Sequence, residues 1–288
     1  MIKEVIESAR PFQWTKNLLI FVALIFSKNF FNLPLFLKTL LAFFLFSFIT
    51  SSIYIINDLF DRKEDRLHPK KRLRPIARGA ISPVIAIITA FIFCFSGLFF
   101  SFFLGINFFL LLIVYIMIQL AYIIFIKHII ILDILAIASG FFIRVLAGAF
   151  AINVPVSSWL ILCTIMLSLF ISIGKRRHEM ILLKEEAKNH RPILQEYNIS
   201  LLDQMIAVVT PGVIITYMLY TTSSETISKF GTKNLVFTIP FVLYGIFRYL
   251  YLIYSKEEGG SPEMIIFTDK PMLFNLLFYT ITIGVILY

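Results

Sequence analysis

Three carboxylates follow one another at helical spacing where an apolar stretch ends, and an asparagine directly precedes them. Asp58, Asp61 and Asp65 are three and four residues apart, and Asn57 precedes them in the sequence NDLFDRKED. At about 100° per residue, this spacing places the three carboxylates on one face of a helix. Carboxylate and amide oxygens are hard ligands of the kind that Mg²⁺ takes, often together with substrate phosphates. All four residues are therefore candidate metal ligands, and the alternative is a solvated helix end with local ion pairs.

A second polar group brackets the short corner in the sequence YIIFIKHIIILD. Tyr122, Lys127 and Asp133 flank this corner, and Arg144 follows Asp133 by eleven residues, on the same face of a helix. Charged residues inside an apolar helix are costly and are by default functional candidates. Asp133 and Arg144 are about 16 Å apart along the helix axis, so each needs another partner. We expect this face to line a polar cavity; the alternative is a purely structural role in helix packing.

Two groups of basic residues are further candidates. Arg72 and Arg74 follow the acidic motif, and Lys175, Arg176 and Arg177 directly follow a later apolar stretch. Arginine pairs with phosphate oxygens in a bidentate manner, and lysine binds them as a point charge. These residues are candidate phosphate ligands, although the same charges could mark membrane topology or contact anionic lipid headgroups.

Together, these groups indicate a site for a diphosphate. Carboxylates would hold a metal, the metal would hold the phosphates, and the basic residues would hold the remaining negative charge. Such a site supports the loss of diphosphate from an activated carbon, because the cations stabilise the charge that builds on the leaving group.

The elements that must position these residues are membrane helices. Hydrophobic residues make up 59% of the chain and the mean hydropathy is +0.89, whereas soluble domains are about 45–50% apolar. We predict an all-α fold, a polytopic membrane helical bundle with about nine transmembrane helices, in a single domain over residues 1–288. The predicted spans are Asn17–Ser27, Pro34–Asn57, Pro83–Leu104, Asn107–Ile126, Ile129–Ala151, Ser158–Gly174, Leu201–Thr221, Asn234–Tyr254 and Met272–Tyr288.

The distribution of charge predicts the orientation of these spans. Residues 62–78 carry eight Lys and Arg and residues 175–191 carry six, whereas residues 152–157 carry none. Because basic loops stay in the cytoplasm, we predict a cytoplasmic N-terminus and a site facing the cytoplasm, in the plasma (inner) membrane. The net charge of +9 reports topology in this reading and not nucleic-acid binding. Cys94 and Cys163 lie inside apolar spans, so we expect neither a disulfide nor a metal site there.

The motif in Asn57–Asp65 resembles the N-D-x-x-D-x-x-x-D motif of the UbiA superfamily of intramembrane prenyltransferases. Further stretches resemble one branch of that superfamily, the decaprenyl-phosphate (polyprenyl-phosphate) phosphoribosyltransferases. These stretches are RPFQWTKNLLIF at Arg10–Phe21, HPKKRLRPIARG at His68–Gly79, YIIFIKHIIILD at Tyr122–Asp133, SGFFIRVLAGA at Ser139–Ala149 and GKRRHE at Gly174–Glu179.

The resemblance implies a specific reaction. A 5-phosphoribosyl group would pass from phosphoribosyl diphosphate (PRPP) to a polyprenyl phosphate, with Mg²⁺ as cofactor and diphosphate released. The product would supply lipid-linked pentose for cell-envelope glycans. Many superfamily members carry a second D-x-x-x-D motif, but here apolar residues and no second acid follow Asp133. This departure disfavours an aromatic prenyltransferase, which stays the alternative enzyme. A transporter with charged gating residues is a further alternative, and small-residue helix faces leave the oligomeric state open.

Residue roles follow from the same resemblance. Asp58, Asp61, Lys127 and Asp133 are predicted as catalytic residues, with Asn57, Asp58, Asp61 and Asp65 at the metal. Asp133 would hold a second metal, the ribose hydroxyls or the Lys127 ammonium. The acceptor phosphate is ionised at neutral pH, so no general base is required. The predicted substrate-binding residues are Lys16, Asn17, Asn57, Arg72, Arg74, Tyr122, Arg144, Lys175, Arg176 and Arg177.

Overall fold

The computed structural model describes residues 2–67, 71–183, 196–256, 265 and 268–288, and these contain helices and no strand. Parts of the two basic segments, residues 68–70 and 184–191, lie outside the described residues. The α-helices are α1 Ile2–Ala9, α2 Phe21–Phe26, α3 Leu33–Phe60, α4 Arg62–Leu67, α5 Pro83–Leu104, α6 Ile106–Ile124, α7 Leu132–Ile152, α8 Ser158–Leu183, α9 Ile199–Thr222, α10 Ser224–Phe230, α11 Ile239–Ser255 and α12 Lys270–Leu287. Shorter 3₁₀-helices occupy Pro11–Ile20, Lys71–Leu73, Ile126–His128 and Asn234–Thr238.

Eight helical segments in the described part of the chain are long and apolar enough to cross a membrane. They match the second to ninth predicted spans, which confirms the predicted class of fold. The first predicted span, Asn17–Ser27, is divided between the 3₁₀-helix Pro11–Ile20 and the short helix α2. It is therefore not one continuous α-helix, and hydrogen bonds from Trp14 and Asn17 tie the 3₁₀-helix to α3.

The membrane helices begin where the sequence supplies capping groups. The side chain of Asn32 accepts a hydrogen bond from the backbone N–H of Leu35, and Pro34 occupies the first turn of α3. Ser82 caps α5 in the same way, with Pro83 as its first residue. Asparagine and serine satisfy the free N–H groups of a first turn, and proline needs no partner there.

Internal contacts divide the chain into two compact units. The first unit comprises Met1–Ala136 and Ile143–Pro155, and the second comprises Ile137–Phe142 and Val156–Tyr288. The prediction of a single domain stays a prediction. In the first unit, Gly97 of α5 allows this helix to pack closely on α3. A Cβ at position 97 would lie only 2.7 Å from the Ile49 side chain.

The second unit is built from α8 to α12. Gly174 of α8 lies against Tyr249 and Ile253 of α11, and a Cβ at position 174 would be 2.8 Å from the Ile253 side chain. The rings of Phe170 and Tyr249 are 5.3 Å apart in an edge contact. These contacts bring the basic sequence that follows Gly174 beside the end of α11.

Candidate active site

The acidic motif lies at the junction of α3 and α4. Helical hydrogen bonding continues across this junction, since the Asp61 N–H donates to the Asn57 carbonyl at 2.9 Å and the Asp65 N–H to the Asp61 carbonyl at 2.8 Å. The three carboxylates therefore share one face, as their spacing predicted. Asp58 and Asp65 are each 2% exposed and Asp61 is 9% exposed. Buried charges of this kind need partners.

Two arginines neutralise Asp58 and Asp65. The Arg10 guanidinium donates to Asp58 in a short hydrogen bond. The Arg74 guanidinium donates to Asp58 at 3.0 Å and to Asp65 at 2.6 Å. Burial raises the pKa of Asp65 above its ordinary value, and the charge of Arg74 opposes that shift. Arg74, a predicted phosphate ligand, thus bridges two predicted metal ligands.

Asp61 has a different set of partners. The Lys127 ammonium donates to Asp61 at 2.6 Å, and the Asn57 amide donates to its other oxygen at 3.0 Å. Lys127 lies in the 3₁₀-helix Ile126–His128, which follows α6. The structure therefore brings together Lys127 and Asp61, two predicted catalytic residues that are 66 residues apart.

The corner between α6 and α7 is strained. Ile131 has a φ of 69°, and the Leu132 N–H donates to the Ile130 carbonyl at 2.8 Å, which closes a tight three-residue turn. A β-branched residue rarely adopts such a φ, and strain of this kind clusters at functional sites. Asp133, fully buried in the first turn of α7, follows directly.

Arg144 and Asn17 form a second polar group inside the first unit. The Arg144 Nε donates to the Asn17 side-chain oxygen at 2.7 Å, and its Nη2 donates to the Tyr115 hydroxyl at 3.3 Å. Both residues are buried, at 5% and 0% exposure. Arg144 therefore has the additional partners that its distance from Asp133 predicted. A direct role of Arg144 or Asn17 in binding substrate stays a prediction.

Three further predicted residues of the first unit lie in short helices or at a helix end. Lys16 is half-buried in the 3₁₀-helix Pro11–Ile20, and Arg72 is exposed in the 3₁₀-helix Lys71–Leu73. Tyr122 is half-buried in the last turn of α6. Their contacts with phosphate or lipid stay predictions.

The basic cluster of the second unit is paired with acids within that unit. Arg177 Nε donates to Asp203 at 2.6 Å, and its guanidinium lies 4.3 Å from the centre of the Tyr254 ring. Arg176 makes a short hydrogen bond to Glu179 one turn along α8. Lys175, which precedes them, is half-buried. Phosphate binding by these three basic residues stays a prediction.

Arg10 is the site residue that sequence reasoning missed. It adopts a left-handed backbone conformation, with a φ of 51°, between α1 and the 3₁₀-helix Pro11–Ile20. Its guanidinium lies 5.0 Å from the centre of the Tyr54 ring while it binds Asp58. Its place at the start of the RPFQWTKN stretch, which carries part of the family resemblance, could have marked it as a candidate. Its pairing with Asp58, 48 residues away, could not be predicted from the sequence.

The donor set at the end of α3 fits Mg²⁺. In the described part of the chain, no three His, Cys, Asp or Glu side chains form a metal site by themselves. Magnesium, however, is usually held by one or two carboxylates together with substrate phosphates and water. Asp58 and Asp61 supply two such carboxylates, and the three adjacent cations are suited to the phosphates.

Comparison with known proteins identifies relatives across the whole chain. Residues 18–268 match the UbiA prenyltransferase family. A decaprenyl-phosphate phosphoribosyltransferase of Mycolicibacterium smegmatis is 33% identical over 100% of this chain and 93% of its own length. One of Corynebacterium glutamicum is 32% identical over 92% and 81%, respectively. A UbiA homolog from Archaeoglobus fulgidus, solved with GPP and Mg²⁺, has a TM-score of 0.74 and 19% identity over 99% of each chain.

Proposed function

The chain belongs to the UbiA prenyltransferase family, and from that premise we propose that it is a phosphoribosyltransferase. It is a membrane-embedded transferase, and in our proposal it transfers 5-phosphoribosyl from PRPP to a polyprenyl phosphate. The observation that carries the proposal is the group of three carboxylates and three cations at the end of α3. The name of the relatives that are 30–33% identical supports the choice of donor and acceptor.

The acids and the cations have separate tasks in this proposal. Asp58 and Asp61 would hold Mg²⁺, with Asn57 and Asp65 beside them. When bound, the metal supplies positive charge that stabilises the departing diphosphate. Arg74 and Lys127 exchange carboxylate for phosphate oxygens as the donor enters, since both groups bind either anion well.

The transfer itself needs no general base. An oxygen of the lipid phosphate forms a bond to the anomeric carbon of the ribose, while the bond from that carbon to diphosphate breaks and diphosphate leaves with the electron pair. The attacking oxygen is already ionised at neutral pH. Asp133 orients the ribose hydroxyls or the Lys127 ammonium. Because Asp133 is fully buried, its carboxylate can adopt few orientations.

The reaction takes place at the cytoplasmic face of the plasma membrane in this proposal. PRPP is a water-soluble donor, and the basic residues that we assign to its phosphates follow the positive-inside rule. The product, a polyprenyl-phosphoryl-5-phosphoribose, would serve the synthesis of lipid-linked pentose for the cell envelope.

A prenyltransferase is the second candidate, because the chain shares its fold with a structure that holds GPP and Mg²⁺. That reaction would move an isoprenoid from its diphosphate to an aromatic or other small acceptor. Asp133 is followed by Ile134, Leu135, Ala136 and Ile137, so the second acidic motif of many such enzymes is missing.

The test is to offer both donors to the purified protein in detergent. Labelled PRPP with a polyprenyl phosphate and Mg²⁺ should place label in the organic phase, and EDTA should prevent it. Transfer from an isoprenyl diphosphate to an aromatic acceptor, with none from PRPP, would replace this proposal by the second candidate.

A further inference from the structure

The 3₁₀-helix Pro11–Ile20 lies along a polar seam on α3. The seam comprises Ser47, Ser51, Tyr54 and Asp58, which recur every three or four residues and therefore share one face of the helix, together with Thr50, which lies three residues after Ser47. Four of these residues are at most 2% exposed, although most residues of α3 are apolar. Buried polar groups at this depth are expensive unless they are hydrogen-bonded.

The partners of the seam come from the segment Ala9–Asn17, which runs antiparallel to α3. The Asn17 amide donates to Ser47 at 2.9 Å and to Thr50 at 3.3 Å. The indole N–H of Trp14 donates to Ser51 at 3.0 Å. The Ser51 hydroxyl donates in turn to the Ala9 carbonyl at 2.7 Å. Arg10 completes the series at Asp58.

The 3₁₀ geometry matches the length of the seam. Arg10 and Asn17 are seven residues apart, which is about 14 Å at the 3₁₀ rise but only about 10 Å at the α-helical rise. Ser47 and Asp58 are eleven α-helical residues apart, or about 16 Å. A segment in α-helical form would be about 4 Å shorter, so the Arg10 side chain would have to reach further to contact Asp58.

α7 fixes the other end of the segment. Arg144 holds the Asn17 side-chain oxygen, and its guanidinium lies 5.3 Å from the Phe46 ring centre and 5.5 Å from that of Tyr115. One turn later, Gly148 allows Ile20 to approach, because a Cβ there would lie 1.9 Å from the Ile20 carbonyl oxygen. The segment is therefore held at its C-terminal end by α7 and along its length by α3.

We propose that Arg10 is a ligand of the donor's diphosphate and that Arg144, Asn17 and Ser51 are positioning residues that set Arg10 at Asp58. This inference rests on the proposed function, because it assigns residues to the same acidic site. In this inference Arg144 acts on that site through Asn17 and the 3₁₀-helix, which replaces the direct contact with substrate that the sequence predicted for it. Arg144 is buried and binds Asn17 and Tyr115, as expected of a residue that anchors the 3₁₀-helix.

The test measures the binding of inorganic diphosphate with Mg²⁺ by calorimetry on the detergent-solubilised full chain. Diphosphate is released in both reactions considered above, so the test does not depend on the donor. Arg10→Met and Arg144→Met should each weaken binding about tenfold, and the double variant should bind within about twofold of Arg10→Met alone. Such coupling is expected only when one residue acts through the other.

Two adjacent serines supply a matched control. Ser51 and Ser52 are both buried, and each hydroxyl donates to a distant carbonyl: Ser51 to Ala9 at 2.7 Å and Ser52 to Ala90 of α5 at 2.8 Å. Ser51→Ala should weaken diphosphate binding about threefold, and Ser52→Ala should leave it unchanged. Ser51→Ala combined with Arg10→Met gives the same cycle if Arg144→Met fails to fold.

Three results would overturn the inference. Arg10→Met with wild-type affinity would remove Arg10 from the site. Effects of Arg10→Met and Arg144→Met that multiply to about a hundredfold would mean that Arg144 acts independently of Arg10. Absence of binding by the wild-type protein would overturn the proposed function, and this inference with it.

Discussion

At the scale of single residues, the acids at the end of α3 illustrate how charge can lie beside an apolar helix. Asp58, Asp61 and Asp65 are buried, and each accepts a hydrogen bond from a cation. Arginine and lysine also bind phosphate, so the groups that neutralise the acids can turn to an anionic donor. The three cations thus balance the three acids before a magnesium diphosphate enters, and the same cations are available to its phosphate oxygens afterwards.

Asp61→Asn should lower turnover by at least about a hundredfold, because it removes a metal ligand. Loss of a residue that only orients a metal ligand already lowers activity by up to about a hundredfold. Melting in detergent should stay close to wild type, since the neutral amide keeps the shape. Glu64→Gln is the matched control: Glu64 belongs to the same motif but is exposed. Full Mg²⁺-dependent activity in Asp61→Asn would refute the metal assignment.

Lys127→Met should raise the KM for the donor about tenfold or more, because one cation for its phosphates is lost. Lys127→Arg should recover part of this loss by keeping the charge. Steady-state kinetics against donor concentration would measure both variants, with the exposed Lys63→Met as control. An unchanged KM in Lys127→Met would confine Lys127 to an ion pair with Asp61.

Local geometry made part of this site predictable. The common face of the acids follows from their helical spacing alone, and the choice of Lys127 as a candidate follows from its place at a polar corner. The pairs Arg10–Asp58 and Asn17–Arg144 join residues 48 and 127 positions apart. One sequence does not state which distant segments pack together, so these pairs required the structure.

At the scale of elements, helix boundaries were predictable where they depend on local chemistry. Proline and a capping side chain mark the starts of α3 and α5. The first predicted span, Asn17–Ser27, differs because its form depends on a neighbour. Hydrogen bonds from Trp14 and Asn17 to the α3 seam favour the longer rise of a 3₁₀-helix over the α-helix that the apolar residues suggest.

The start of α12 provides a test of stability. Asp269 caps the helix by accepting from the Met272 N–H at 2.9 Å and forms a two-bond pair with Arg248. The Arg248 hydrogen bond holds the pKa of Asp269 below its ordinary value. Asp269→Ala should therefore destabilise the protein at neutral pH by about 1 kcal/mol, mostly from the lost cap.

The sign of the pH dependence follows from the lowered pKa. An acid whose pKa is lowered by folding stabilises the folded state above its unfolded value, about 4, and that stabilisation is lost as the pH falls through the folded value. Asp269→Asn, which keeps a capping oxygen but no charge, should melt below the wild type at pH 7 and approach it in acid. Thermal unfolding in detergent measures this, and a difference independent of pH would contradict the assigned ion pair.

At the scale of the whole molecule, composition predicted the class of fold correctly. Most of the predicted spans match the eight helices in the described part of the chain that are long and apolar enough to cross a membrane. The division into two compact units was not predicted, because it depends on contacts between distant helices. Orientation in the membrane stays a prediction from charge.

Single cysteines would measure that orientation. In a background with Cys94→Ala and Cys163→Ala, Lys63→Cys and Lys233→Cys introduce thiols at two exposed positions. An impermeant maleimide should label position 233 in intact cells and position 63 only after the membrane is broken. The reverse pattern would place the acidic site on the outer face and exclude a cytoplasmic donor.

The most direct test of the central claim follows two labels on one donor. PRPP carrying one isotope in its 5-phosphate and another in its diphosphate would be incubated with the protein, a polyprenyl phosphate and Mg²⁺. We expect the 5-phosphate label to enter the organic phase while an equal amount of the diphosphate label is released as free diphosphate. Diphosphate label in the lipid, or no transfer of either label by the folded protein, would contradict it.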